Sequence, residues 1–192
     1  MKLQAMDKQR YCMGCGEDVD TNLVERNGKT ELTCIFCGFT LDFVDSQPSP
    51  PARCIATVDD AEMTRTLVMT FLQDKGLAQE VLAFANGREF VSAVSHRLSA
   101  GKPLDCVILD IEMPEMDGFT AARMLRAMEQ TQQHRPCPII FFSARKADEG
   151  LRKQMSLFRP ARYLNKGAEG DVQDLMRRVG ILVSHLGTYF EQ

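Results

Sequence analysis

Apolar and polar positions change their period along this chain, and the change sets its organisation. From residue 53 onward, short apolar runs alternate with stretches of helical spacing. The runs are CIATV (54–58), EVLAFA (80–85), LDCVILD (104–110), PIIFFS (138–143) and ARYLN (161–165). Between them Met63, Leu67 and Phe71 recur at i, i+4, i+8, and Phe90, Val94 and Leu98 do the same. Met124, Leu125 and Met128 mark a third helix that begins near Asp117, and residues 147–158 and 170–187 supply a fourth and a fifth. Apolar strands of this length alternating with helices predict a parallel sheet covered on both faces. Five such units make a doubly wound α/β fold, with its site at the carboxyl ends of the strands.

The first 44 residues follow another rule. Leu23-Val24-Glu25-Arg26 and Lys29-Thr30-Glu31-Leu32 flank Asn27-Gly28, a strong hairpin signal. Cys12-x2-Cys15 and Cys34-x2-Cys37 bracket that hairpin, and Gly16 and Gly38 follow the second cysteine of each pair. Glycine there permits tight turns whose N–H groups approach the sulfurs. Two paired CxxC motifs in a chain without a signal-peptide core favour metal over disulfides. Four thiolates suit tetrahedral Zn²⁺ and close its coordination, so the expectation is structural zinc in a small β zinc ribbon. About forty residues bury little core, so the metal would supply much of this module's stability. Between the two parts, Pro48-Ser49-Pro50-Pro51 forbids a helix and predicts a semi-rigid extended linker over 45–52.

Composition narrows the function. The 192 residues are 44% hydrophobic and 26% charged, as in ordinary globular proteins, with a net charge of −3. No basic excess advertises nucleic acid or an anionic membrane. No apolar run is long enough to span a bilayer, so no membrane insertion is expected and the reading is a soluble cytoplasmic protein. Residues 1–47 carry five basic and eight acidic side chains, which opposes a nucleic-acid role for the ribbon.

The chemistry gathers at predicted strand ends. Asp59 and Asp60 follow the first strand of the α/β part, Asp110 ends the third, Ser143 ends the fourth, and Lys166 follows the fifth. In a parallel sheet these positions share one edge. Clustered carboxylates repel, and a hard divalent cation relieves the repulsion; Mg²⁺ takes a few carboxylates, waters and phosphate oxygens. A lysine and a hydroxyl beside it suit a phosphoryl group, and one carboxylate could be the nucleophile. Cys54, Cys106 and Cys137 lie in or beside strands and read as small buried hydrophobes.

The stretch Leu109-Asp110-Ile111-Glu112-Met113-Pro114-Glu115-Met116-Asp117-Gly118 resembles the phosphoacceptor loop of bacterial two-component response-regulator receiver domains. Val58-Asp59-Asp60, Ala85-Asn86-Gly87, Pro138-Ile139-Ile140, Ser143-Ala144 and Tyr163-Leu164-Asn165-Lys166 match in order across residues 53–187. The resemblance implies a flavodoxin-like five-stranded receiver over 53–192, and the cysteine module before it is read separately as a ribbon over 1–44. It implies Asp110 as phosphoacceptor, Asp60 as direct Mg²⁺ ligand and Asp59 acting through metal-bound water. The Glu112 backbone carbonyl would be a further ligand, Ser143 and Lys166 would contact phosphoryl oxygens, and Tyr163 would be the aromatic switch. The family commonly has proline after the lysine, and here Gly167 stands there.

These features predict a phosphorylation-dependent signalling switch, not a metabolic enzyme. A histidine kinase or phosphotransfer protein would supply the phosphoryl group, and protein–protein contacts would pass the signal on. Two other readings compete. A nucleic-acid-binding regulator using the ribbon would need a basic face, for which Arg10, Arg26 and Lys29 are available. A Mg²⁺-dependent aspartyl phosphatase would usually have a second aspartate two residues after its nucleophile, where Glu112 stands. The output surface is expected over roughly 147–187, the fourth helix, fifth strand and fifth helix, where Arg145, Lys146, Arg152, Lys153, Arg159 and Arg162 around its start predict a docking face for an acidic partner, the chain's own ribbon among the possibilities. Glu112 and Arg145, each two residues past a strand end, are expected to pair across the phosphoryl site.

Overall fold

The computed structural model describes residues 9–12, 15–26, 29–44, 50–145, 147–166, 172–184 and 186. Four antiparallel strands form the first sheet in the order β1 (Gln9–Cys12), β2 (Glu17–Arg26), β3 (Lys29–Cys34), β4 (Thr40–Phe43). Arg26 pairs with Lys29, so β2 and β3 are joined by a two-residue connection at the Asn-Gly positions, which lie outside the described residues. Linker residues 45–49 also lie outside them.

The second sheet is parallel, in the order β6-β5-β7-β8-β9. Its strands are β5 (Ala52–Val58), β6 (Ala78–Phe84), β7 (Cys106–Asp110), β8 (Ile139–Ser143) and β9 (Ala161–Asn165). The helices are α1 (Glu62–Asp74), α2 (Gly87–Ser99), α3 (Gly118–Thr131), α4 (Glu149–Met155) and α5 (Val172–Ser184). The strand order reverses between β5 and β7, whose carboxyl ends flank the crevice where such folds hold ligands.

Period-two alternation sorts the sheet's side chains between two cores. On one face Val107, Leu109, Ile139 and Phe141 meet α2, α3 and α4 through Phe90, Val94, Leu125 and Leu151. On the other, Cys106, Ile108, Ile140 and Phe142 meet α1 and α5 through Leu72, Val179 and Leu182. Strands β7 and β8 are buried at every residue, hence their unbroken apolar sequences. Cys54, Cys106 and Cys137 are buried free thiols within these cores.

Two helices depart from the sequence reading. Met63 is 82% exposed, because the buried line of α1 runs through Val68 and Leu72, one residue round from the predicted stripe. The fourth helix is shorter than 147–158. It starts at the Asp148 N-cap, whose carboxylate accepts the Leu151 N–H at 2.7 Å, and gives way to a 3-10 turn at Ser156–Phe158.

The ribbon is seated on the second sheet's α1/α5 face. Phe39 packs against both the ribbon core and the core beneath α5. The Arg178 guanidinium lies over the Tyr11 ring, 4.2 Å from its centroid. The acidic module therefore meets basic residues of α5, inside the predicted 147–187 face but at its far end from Arg152 and Lys153.

Candidate functional site

Asp110 ends the central strand β7 and is 3% exposed. The chain then turns through Glu115, in the left-handed region at φ 64°, and returns at Gly118, whose N–H donates to the Ile111 carbonyl at 3.0 Å. Asp117 caps α3 by accepting the Thr120 N–H at 2.7 Å. Next door, Asn86 caps α2 by accepting the Glu89 N–H at 2.9 Å, and Glu89 reaches back to the Ala85 N–H at 3.1 Å. This reciprocal cap holds the end of β6.

Asp59 follows β5 and is 1% exposed, whereas Asp60 beside it faces solvent. Ligand oxygens of Asp59, Asp60 and Asp110 all lie within 4.8 Å of one another. Lys166 Nζ bridges two of the carboxylates, at 2.7 Å from Asp110 Oδ2 and 2.9 Å from Asp59 Oδ2. Burial pushes the Asp59 carboxyl above the usual carboxylate range, against the pull of Lys166. Burial works against the Lys166 ammonium too, but hydrogen bonds to Asp110 and Asp59 carry its pKa above the ordinary lysine value. Three carboxylates facing one ammonium leave an anionic set, the donor chemistry that suits a hard divalent cation such as Mg²⁺.

Glu112 sits at the rim. Its N–H donates to Asp110 Oδ1 at 3.1 Å, while its side chain is exposed. The expected Glu112–Arg145 pair does not form. Arg145 reaches Asp148 instead, at 3.9 Å within the loop before α4, where the nearer carboxylate outcompetes one on another strand end.

Ser143 is fully buried, and its Oγ accepts the Arg145 N–H at 3.2 Å. Tyr163 is 4% exposed, and its hydroxyl donates to the carbonyl of Arg145 and, at 3.3 Å, to that of Ser143. Ser143 and Tyr163 thus both hold the loop at 143–145, the serine through its Oγ as acceptor and the tyrosine through its hydroxyl as donor. Gly167 lies outside the described residues.

Three contributors were not read from the sequence. Arg65 on α1 donates to the Asp59 carbonyl at 2.7 Å and braces the acidic turn; its place five residues after Asp60 was the available signal. Asn165 Nδ2 donates to the Arg145 carbonyl, pinning the same loop as Tyr163. Arg178 donates to the Asn165 carbonyl at 2.8 Å. The last two are contacts across the fold with no local sequence signature.

The four ribbon cysteines form a second cluster, with every Sγ within 4.8 Å of the others. Cys12 and Cys37 Sγ are 3.4 Å apart, and Cys15 and Cys34 Sγ 3.8 Å. Tetrahedral zinc with bonds near 2.3 Å needs sulfurs about 3.8 Å apart, so this set is compatible with a zinc site. Gly16 and Gly38 have φ of 74° and 68°, and N–H groups of Cys15, Phe36 and Cys37 point at sulfurs from 3.4–3.5 Å. Hydrogen bonding between Cys12 and Cys37 raises the first thiol and lowers the second to about 5, while burial pushes Cys15 up to about 12.

Among the described residues no helix is long and apolar enough to cross a membrane. The response regulator receiver domain model matches residues 55–179. A protein-glutamate methylesterase/protein-glutamine glutaminase of Alkalilimnicola ehrlichii is 31% identical over 136 residues, 68% of this chain and 32% of that protein. The sensor histidine kinase GacS of Pseudomonas protegens is 32% identical over 99 residues, 52% of this chain and 10% of the kinase. The chain therefore spans a third or less of these relatives. Among solved structures, the receiver domain of the Arabidopsis thaliana histidine kinase CKI1 complexed with Mg²⁺ and BeF3⁻ aligns with a TM-score of 0.52 at 25% identity, covering 67% of this chain and 89% of that one. The family model leaves the cysteine cluster outside its match and spans the carboxylate site from Asp59 to Lys166, and on it the chain belongs to the response regulator receiver domain family.

Proposed function

We propose that this protein is a phosphorylation-dependent switch of a two-component system, with Asp110 as its phosphoacceptor. One observation carries the reading. Asp59, Asp60 and Asp110 converge at the carboxyl edge of a receiver sheet, and Lys166 is already seated on the acceptor carboxylate.

The Asp110 carboxylate attacks the phosphorus of a phosphohistidine on a kinase or phosphotransfer protein. The P–N bond breaks, and the imidazole leaves with the bonding pair and takes up a proton. Lys166 meets the incoming phosphoryl oxygens, and Ser143 offers a hydroxyl once it leaves the Arg145 N–H. Magnesium held by Asp59, Asp60, Asp110 and the Glu112 carbonyl would supply the charge neutralisation that phosphoryl transfer requires. Water later attacks the same phosphorus and restores the carboxylate.

The four cysteines hold a structural zinc in this reading. Exposed Glu17, Asp18 and Asp20 on β2 would repel a phosphate backbone, so nucleic acid is the less favoured partner of the ribbon. Output runs through protein contacts. Leu157, 76% exposed, stands among exposed Arg152, Lys153 and Arg159, an apolar anchor in a cationic rim suited to an acidic partner.

The test is phosphotransfer. Mixed with a phosphohistidine protein and Mg²⁺, the native chain should take up the phosphoryl group, and Asp110→Asn should not. Steady hydrolysis of small phosphate esters by the native chain would favour the aspartyl phosphatase reading instead.

A further inference from the structure

Arg178 is buried to 3% exposure, unusual for a guanidinium, and two separate parts of the molecule use it. One face covers the Tyr11 ring of the ribbon at 4.2 Å. Its Nη1 donates to the carbonyl of Asn165 at 2.8 Å, one residue before Lys166. Arg10, Tyr11 and Leu41 of the ribbon share a crevice with Arg177, Arg178 and Ile181 of α5. Phe39 joins the two hydrophobic cores beside it.

Asn165 faces the other way as well. Its amide donates to the carbonyls of Ala144, at 3.4 Å, and Arg145, and so holds the loop that occupies the Ser143 hydroxyl. A contiguous run of contacts thus leads from the ribbon ring, through Arg178 and Asn165, to both Ser143 and Lys166.

We infer that the ribbon is an intramolecular ligand of α5, and that Arg178 couples its docking to occupancy of the Asp110 site. This rests on the phosphoacceptor reading above. The sign follows from the contacts. A phosphoryl group on Asp110 draws Ser143 Oγ away from the Arg145 N–H and Lys166 Nζ away from the carboxylates. Both shifts disturb segments that Asn165 holds and that Arg178 ties to the ribbon. The docked ribbon and the resting loop therefore stabilise each other, and a filled site loosens the ribbon. Linkage makes the effect reciprocal, so loosening the ribbon tightens the filled site by the same factor.

The experiment uses the full chain with Mg²⁺ and beryllofluoride as the probe. Calorimetry gives the affinity, and hydrogen exchange of β1 and α5 amides reports docking. Tyr11→Ala removes the ribbon side of the contact without touching the parallel sheet, and Arg178→Met removes the link itself. Each should tighten beryllofluoride binding about fivefold or more, within the usual range of allosteric coupling. The double variant should bind no tighter than Arg178→Met alone, and beryllofluoride should speed exchange of the ribbon amides in the native chain. Native binding with unchanged or weaker affinity in both single variants would overturn the coupling. So would ribbon exchange indifferent to the probe. A native chain that does not bind beryllofluoride would instead fail the phosphoacceptor reading, and the coupling would fall with it.

Discussion

Alanine at Gly118 would place a methyl group where the loop after Asp110 leaves no room. A Cβ built there lies 2.1 Å from the Asp110 carbonyl oxygen, 2.9 Å from its carbon and 3.0 Å from Ile111 Cα. A Cβ essentially never comes closer than 3.0 Å to another heavy atom, so the start of α3 and the Asp110 carbonyl must part by roughly 1 Å. All three obstacles are backbone, so no side-chain rotation relieves the clash. Overpacking of this kind costs about 1–3 kcal/mol. Removing a helical glycine returns about 1 kcal/mol, leaving a net loss of about 1 kcal/mol and at most about 2 kcal/mol. For a chain of this size a loss of about 1 kcal/mol lowers Tm by about 2–4 °C. The displaced group belongs to Asp110, the proposed acceptor, and a shift of about 1 Å in reacting groups costs about 100-fold in rate. The assay is the initial rate of Mg²⁺-dependent labelling by a small acyl phosphate, with a melting curve on the same sample. A Gly118→Ala protein that labels at the native rate and melts within about 1 °C of native would refute the argument.

Three further outcomes follow from the packing and the clusters. Arg126→Met should cost about 3–5 kcal/mol in urea unfolding, because it strands the buried Glu129 carboxylate, paired at 2.6 Å, and frees the Phe158 and Cys137 carbonyls that the guanidinium holds; a loss below about 1 kcal/mol would contradict the buried-pair account. Freshly purified protein should contain one zinc per chain and Cys34→Ser should lose it, as metal analysis would show, whereas full retention by the variant would reject the four-cysteine site. Asp105 bears on pH: burial opposes its charge, yet hydrogen bonds from Arg53 and the Cys54 N–H hold its carboxyl below the usual range. A lowered folded pKa gives stability that is present above the unfolded value of about 3.9 and is lost as pH falls through the folded value. The native advantage over Asp105→Asn in urea midpoint should therefore be full at neutral pH and shrink in acid, and a pH-independent difference would count against it.

Much of this molecule was legible in the sequence because its signals are local or periodic. Runs such as CVILD and IIFFS are buried on both faces, so burial wrote them as unbroken apolar strings. Asp59, Asp110 and Lys166 sit at strand ends, and parallel pairing alone brings strand ends together. Met63 misled because an i, i+4, i+8 stripe drifts round the helix, and the first turn of α1 lies beyond its buried line. The Glu112–Arg145 pair failed because Asp148, three residues along the same loop, takes the Arg145 guanidinium instead, at 3.9 Å. Charge complementarity offered the ribbon as one partner of the 147–187 face, but its seat on α5 was not legible. It depends on Tyr11, Phe39 and Arg178, residues far apart in sequence whose meeting no spacing rule encodes.

The central claim is that Asp110 carries the phosphoryl group. It is tested most directly by phosphorylating the native chain with a small donor and Mg²⁺, reducing the acyl phosphate with borohydride, and locating the modified residue by mass spectrometry. The account predicts modification at Asp110, dependent on Mg²⁺ and absent from Asp110→Asn. Modification at another residue, or undiminished labelling of Asp110→Asn, would contradict it.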